Sequence, residues 1–240
     1  MKKLFLLIAA IPFLAHAQEN KKKEAEKKIF IGFSFSPDYA SRTLKNNDGS
    51  SSSNNVIDSR NKLEKGKLSF TTGFNLNIRV AKALEFQTGI LYSNKGYRIP
   101  KQAADYPIQV PGQPTHFKSN TSFHYLDVPV KLNFITGKNR VKFIAGAGLA
   151  ANILLSNSDI VILYYADGSE KETNQYVGVD YNNFNLSALI SAGAEFKLKE
   201  NIILRTEPTF RYGLLKIVDM PVTAKLWNIG LNMGVYLKLK

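Results

Sequence analysis

The chain contains no cysteine. Disulfides, thiolate nucleophiles and cysteine-held zinc or iron–sulfur centres are therefore excluded. Histidine is nearly as scarce, with 3 in the chain, and His16 falls in a leader-like stretch. Only His116 and His124 remain for acid–base chemistry in a mature protein. Long apolar runs are missing too: after residue 17 nothing approaches the roughly 18 consecutive apolar residues of a membrane-spanning helix. Beyond that point, only a closed barrel would place this chain in a membrane. Acidic residues are outnumbered, 19 against 32 Lys and Arg. At 44% hydrophobic, most of the chain has enough apolar content to fold.

What is present starts with Met1-Lys2-Lys3, the apolar run Leu4 to Leu14 and Ala15-His16-Ala17. A basic start, a short apolar core and an A-x-A end predict a secretory signal peptide over 1–17, cut before Gln18. Without a cysteine at the cut, no lipoprotein anchor is expected. Removing Lys2 and Lys3 takes the formal charge from +13 to +11. For an exported protein this excludes nucleic acid and points to anionic phosphates of an outer leaflet. Residues 18–28 alternate Lys and Glu and read as a charged periplasmic tail, or equally a short helix.

From Ile29 to the C-terminus the hydrophobicity has period two, the mark of strands with unlike faces. Eight segments are expected: 29–39, 68–80, 84–97, 121–135, 141–155, 183–198, 202–216 and 225–239. The links alternate: long 40–67, short 81–83, long 98–120, short 136–140, long 156–182, short 199–201, then a medium 217–224. An even strand count with short turns on one rim and long loops on the other predicts an all-β, eight-stranded antiparallel up-and-down barrel over 29–240. Thr136-Gly137-Lys138-Asn139 and Lys199-Glu200-Asn201 read as compact turns, and Asn46 to Ser53 as a flexible loop. Ile160 to Tyr165, Asp167-Gly168 and Tyr176 to Val179 read as a hairpin above the rim.

In the last segment Trp227, Ile229, Leu231, Met233, Val235, Leu237 and Leu239 share one face, against Asn228, Gly230, Asn232, Gly234, Tyr236 and Lys238. A soluble barrel would hide the apolar set, whereas a transmembrane barrel shows it to lipid. Three features favour lipid outside. The strand glycines, among them Gly32, Gly73, Gly89, Gly193, Gly230 and Gly234, fall in the polar set, leaving room for large polar side chains in a narrow tube. Aromatics gather near strand ends, with Tyr92, Phe123, Phe184, Tyr212 and Trp227 at one rim and Phe134, Phe143 and Phe196 at the other, as in two interfacial girdles. The alternation of short and long links is the third.

Certain blocks carry a resemblance: Gly89-Ile-Leu-Tyr-Ser-Asn-Lys-Gly96, Tyr125-Leu-Asp-Val-Pro-Val-Lys-Leu-Asn-Phe134, Ala192-Gly-Ala-Glu195 and Glu207-Pro-Thr-Phe-Arg-Tyr-Gly213. Together they span nearly all of the mature chain, and it resembles the PorT-like outer-membrane β-barrel domain family of Bacteroidetes-type bacteria. The resemblance implies an integral outer-membrane protein, usually without an assigned activity, and in the namesake a role connected with protein secretion. The C-terminus is similar to the signal read by barrel-insertion machinery, through Asn232, Gly234, Leu237 and Leu239, although it ends in Lys240 rather than an aromatic residue.

The charged residues of the polar face are Asp38, Arg79, Glu85, Lys95, Asp127, Lys131, Lys142, Glu195, Lys197, Arg205, Glu207, Arg211 and Lys238. An eight-stranded barrel is just wide enough to be filled by side chains, so all of these should pair across the lumen, in a network over Asp38, Arg79, Glu85, Asp127, Lys131, Glu195, Arg205, Glu207 and Arg211. A plug of ion pairs is the preferred reading; a gate is the alternative. Spacing lets Glu207 pair with Arg205 or with a base on an adjoining strand, and leaves Arg211 needing a different acid. For catalysis, Ser122 shares a face with His124 while Asp127 lies opposite, a poor constellation. Asp159, Asp167, Glu170, Glu172 and Asp180 lack the spacing of a calcium loop and read as a solvated acidic loop. Arg42, Lys45, Arg60, Lys62, Lys65 and Lys67 read as contacts for lipopolysaccharide phosphates or, almost equally, as an ordinary solubilising surface. The expectation is a non-enzymatic, cofactor-free monomer acting through its external loops. Its partners would be outer-membrane lipid, lipopolysaccharide, the insertion machinery and an envelope protein. A narrow pore and a lipid-modifying enzyme are the alternatives.

Overall fold

The computed structural model describes residues 28–239 apart from 107, 109, 138, 139 and 175–178. The signal-peptide reading, the tail to residue 27, the Lys138-Asn139 half of one turn and residues 176–178 of the expected hairpin lie outside the described residues. In chain order the elements are β1 (Lys28–Asn46), α1 (Ser51–Leu63), β2 (Lys67–Arg79), β3 (Leu84–Ala103), β4 (His116–Thr136), β5 (Val141–Tyr164), β6 (Glu170–Asn174), β7 (Phe184–Lys197), β8 (Ile202–Gly213) and β9 (Val222–Lys238).

All pairings are antiparallel between neighbours, except that β5 pairs with both β4 and β7 while β6 lies outside the ring. The ring closes where β1 meets β9, from Phe30↔Lys238 up to Asn46↔Val222. This is the expected eight-stranded up-and-down barrel, with no open edge along the wall.

The outward set is apolar: Phe74 and Phe143 stand 70% and 67% exposed, while Asn75, Asn77, Asn133 and Asn152 are buried in the lumen. Exposed apolar faces around a polar interior fit a bilayer and contradict a soluble barrel. Close packing explains the inward glycines. A Cβ on Gly230 would overlap the Asp38 carboxylate, and one on Gly32 the Tyr236 ring.

Several strands run further at the long-loop rim than expected. β5 continues to Tyr164 because a bulge at Leu155 shifts its register against β4, from Tyr125↔Leu154 to His124↔Ser156. The bulge reverses which residues face in, so one alternation cannot run through it. β3 passes a second irregularity between Ile99 and Gln102, and β1 and β4 also extend past their expected ends. The projecting hairpin forms with its second arm at Glu170–Asn174, paired to Ile160–Tyr164.

The loop after β1 is a helix rather than a flexible segment. Ser50 caps α1 by accepting from the Ser53 amide at 3.1 Å, which satisfies one of the helix's free donors. Before it, Asn46 Oδ1 accepts from the Gly49 amide at 2.7 Å, with Gly49 in the left-handed region at φ 74. At the other end Arg42 of β1 donates to Glu64 (2.6 Å), Asn61 (2.7 Å) and the Arg60 carbonyl (3.0 Å), fastening α1 to the wall.

Two apolar clusters close the tube. Tyr97, Phe123, Tyr125, Ile217, Val218, Ala224 and Leu226 fill the long-loop end, and Phe30, Ile203 and Tyr236 the short-turn end. Phe123 therefore belongs to the interior cap, not to the girdle. Neighbouring His124 takes the outward position, where its ring bonds Tyr92.

Candidate functional site

Between the two caps lies the charge network, built in storeys by inward positions of six strands. Near the short-turn end Arg205 is fully buried and forks onto Glu85 at 2.8 and 3.1 Å. It also reaches Glu195 at 2.8 Å. Arg79 joins both acids, 3.2 Å from Glu85 and in direct contact with Glu195. The Tyr236 ring lies 5.0 Å beneath the Arg205 guanidinium, and Asn133 donates to Glu85 and to Gln87, each at 3.0 Å.

In the middle storey Lys131 Nζ meets Glu207 Oε1 at 3.0 Å, and Ser191 donates to the same oxygen. Glu207 thus pairs neither with Arg205 nor with an adjoining strand, as the spacing suggested, but with β4 on the far side. Arg205 is already committed to two carboxylates, which leaves Glu207 to the ammonium. Above it Arg211 finds its separate acid in Asp38, 3.5 Å away. Asp38 also accepts from Ser36 and Thr71 at 2.6 Å and from Asn228 at 2.7 Å. Lys95 pairs with Asp127 at 3.1 Å, and Asn152 donates to Asp127 at 2.6 Å.

All nine residues expected in the network are in it, with Lys95 as a tenth. The bases Arg79, Lys95, Lys131, Arg205 and Arg211 match the acids Asp38, Glu85, Asp127, Glu195 and Glu207 one for one, so this network carries no net charge. Such pairing offsets the desolvation each ion suffers. Lys142, Lys197 and Lys238 stand apart at the short-turn rim. The mid-lumen space measures about 40 Å³ and the one above it about 10 Å³, room for about one water molecule.

Over the outer cap the structure opens into a cup of about 620 Å³, within the range of small-molecule sites. Its walls are α1, the tops of β3, β4 and β5, and the segments around Tyr181 and Val218. Tyr97 and Tyr181 line it, and Tyr181 meets the buried Phe123 edge-on with ring centres 4.9 Å apart. Arg42 and Arg60 each stand 5.9 Å from the centre of the Tyr97 ring. Arg60 also bonds Glu64 at 2.6 Å and the Tyr97 hydroxyl at 3.3 Å. Burial opposes the Arg60 charge, but Glu64 outweighs it and holds the guanidinium above its usual range. Asp159 accepts from Ser119 at 2.6 Å and Thr121 at 3.1 Å, and among the described residues it has no ion-pair partner. The sequence reading missed this cup because its residues come from six separated stretches. The one local signal was Ser50 followed by a run free of glycine and proline.

The remaining candidates disperse. Ser122 accepts from Lys67 rather than facing His124, and His116 contacts Thr115 at 3.2 Å. Asp167 bonds Ser169 in the hairpin turn, which holds its carboxyl below the usual range. Glu170 and Glu172 lie on β6, so the acidic loop forms no common site. Among the described residues no cluster of metal-ligating side chains occurs. Of the basic first loop, Arg42 and Arg60 are turned inward by Glu64, leaving Lys45, Lys62 and Lys65 exposed. On β9, Asn232 and Gly234 face the lumen while Leu237 and Leu239 face outward.

A family model described as an outer membrane protein beta-barrel domain matches residues 49–219. No curated protein matches the chain. Among solved structures it is similar to Neisserial surface protein A (14% identity, 88% of this chain and 97% of that one, TM-score 0.45). It is also similar to OprG from Pseudomonas aeruginosa (10%, 91% and 99%, 0.44) and to the protease OmpT from Escherichia coli (7%, 88% and 97%, 0.44). The chain belongs to the outer-membrane protein β-barrel domain family.

Proposed function

We propose that the protein is a non-enzymatic, monomeric outer-membrane barrel with a sealed lumen, and that it works through its external cup and loops as a recognition or structural element of the envelope. The observation that carries this reading is the filled lumen: five acids matched to five bases between two apolar caps, with spaces of about 40 and 10 Å³ left beside them. A pore needs a continuous wet path, which this packing opposes. An acyl-transfer or hydrolytic site needs a base oriented on a nucleophile, and His124 and Ser122 are committed elsewhere.

Within the family, the Tyr125 to Phe134 block supports placement beside the PorT-like barrels, with an envelope partner met through the loops. Residues 1–17 would direct export, and Asn232, Gly234, Leu237 and Leu239 would be read by the insertion machinery. Lipid and lipopolysaccharide would surround the wall. Reconstitution into planar bilayers tests the reading: the wild type should pass no resolvable current, and steady unit conductance would replace the sealed barrel with a pore.

A further inference from the structure

We infer that the outer wall carries a dedicated site for a phosphorylated glycolipid of the outer leaflet, in a notch where β2 parts from β3 above the bilayer. The inference rests on the outer-membrane reading and adds to it a particular ligand and a particular address.

The notch follows from the ladders. β2 and β3 pair from Arg79↔Glu85 up to Phe70↔Asn94, and then meet again only at the isolated bridge Lys65↔Arg98. Beside that gap a cavity of about 540 Å³ lies against β2 and the tops of β3, β4 and β5. Arg98, Lys101 and Lys118 line it, with Lys67 deeper, and no carboxylate does. Leu68, 88% exposed, and Ile160 and Ile162 supply an apolar side.

Depth matches a lipid headgroup. The outward aromatic Tyr92 and its bonded neighbour His124 lie at the interfacial belt, the level where amphipathic rings settle. Arg98 and Lys118 stand six residues beyond them on β3 and β4, about 15 Å higher for strands tilted near 40°. That is the zone of phosphates and acidic sugars above the acyl chains.

Charge is also arranged for an anion. Lys101 and Lys118 place their ammonium groups 3.6 and 5.5 Å from the centre of one ring, Tyr164. Two like charges beside one ring repel, and a phosphate against both relieves that repulsion. The nearest acids, Glu170 and Glu172, are in register with Tyr164 and Ile162 on β6 and act on Lys118 from that side. The phosphate end therefore seats toward Arg98, leaving the acyl end to Leu68.

The test uses the full-length protein in detergent, with diphosphorylated lipid A, dephosphorylated lipid A and inorganic phosphate as probes, read by native mass spectrometry. Wild type should retain diphosphorylated lipid A, lose it when the phosphates are removed, and hold it against millimolar inorganic phosphate. Arg98→Gln with Lys118→Gln should weaken retention about thirtyfold, the effect of two cations at an anionic headgroup. Lys45→Gln with Lys62→Gln, exposed bases elsewhere on the rim, should leave it unchanged, and Glu172→Gln should leave it unchanged or tighten it. Heat-modifiable gel migration checks that each variant is folded; if the Arg98 pair fails that check, Lys101→Gln, expected to weaken binding several-fold, takes its place. Equal loss in the Lys45 pair, retention independent of the phosphates, or displacement by inorganic phosphate would each overturn the site. Conductance of the same preparations reports separately on the sealed-barrel reading.

Discussion

Lys131 and Glu207 meet across the lumen, 3.0 Å apart, although their strands β4 and β8 share no ladder. A contact of this kind ties opposite walls together rather than neighbours. Glu207 is fully buried, so Glu207→Ala leaves an ammonium in a space it cannot leave. The cost should be about 3 to 5 kcal/mol, against 1 kcal/mol or less for a surface pair. Adding Lys131→Met should recover most of the loss, because the stranded charge goes with it. Urea unfolding in liposomes measures both; a single variant as stable as wild type would mean the lumen is wet.

The depth of the wall gives a second prediction. Leu231 points outward at mid-strand and Asn232 inward. Leu231→Arg should cost about 2 to 4 kcal/mol or block insertion. Asn232→Ser, which puts a smaller polar group in a polar lumen, should be mild. The opposite ranking in a folding assay would turn the barrel inside out.

How far the sequence carried the structure depended on regular alternation. Where period two runs unbroken, as from Trp227 to Leu239, strand, facing and neighbours follow directly, because one buried and one lipid face leave a single consistent phase. The network membership was legible for the same reason: an inward charge in so narrow a tube has to find a partner. Which partner was not legible, since Lys131 and Glu207 are 76 positions apart and only barrel closure brings them together. The upper wall was hidden by irregularity. The bulge at Leu155 inverts the pattern, and Pro100 suggests an end where β3 continues. The cup joins pieces of six stretches, and α1 has little apolar periodicity because its main anchor is Arg42 rather than a buried stripe.

That anchor can be tested by itself. Arg42→Ala removes the guanidinium that holds Glu64, Asn61 and the Arg60 carbonyl, hydrogen bonds to a charged group worth roughly 1.5 to 3 kcal/mol. The helix should open at least about tenfold more often, as that energy implies, while the ladders below keep the barrel closed. Trypsin should then cut at Arg60 or Lys62 with global unfolding nearly unchanged. Unchanged cleavage would show that α1 is held by something other than Arg42.

A last prediction concerns the cup at high pH. Burial, aided by the nearby Asp159 carboxylate, pushes the Tyr181 phenol above its ordinary value. The folded state therefore keeps the proton longer than the unfolded chain, whose tyrosines ionise near 10. Docking of this segment on Phe123 should be fully stable below about pH 10 and weaken as pH rises from there through the raised folded value. Tyr181→Phe keeps the ring against Phe123 and removes the titrating group, so its cup should hold into the alkaline range. Amide exchange of residues 179–183 against pH, in wild type and variant, distinguishes the outcomes. Parallel alkaline loosening in both would assign the effect to another group in the cup.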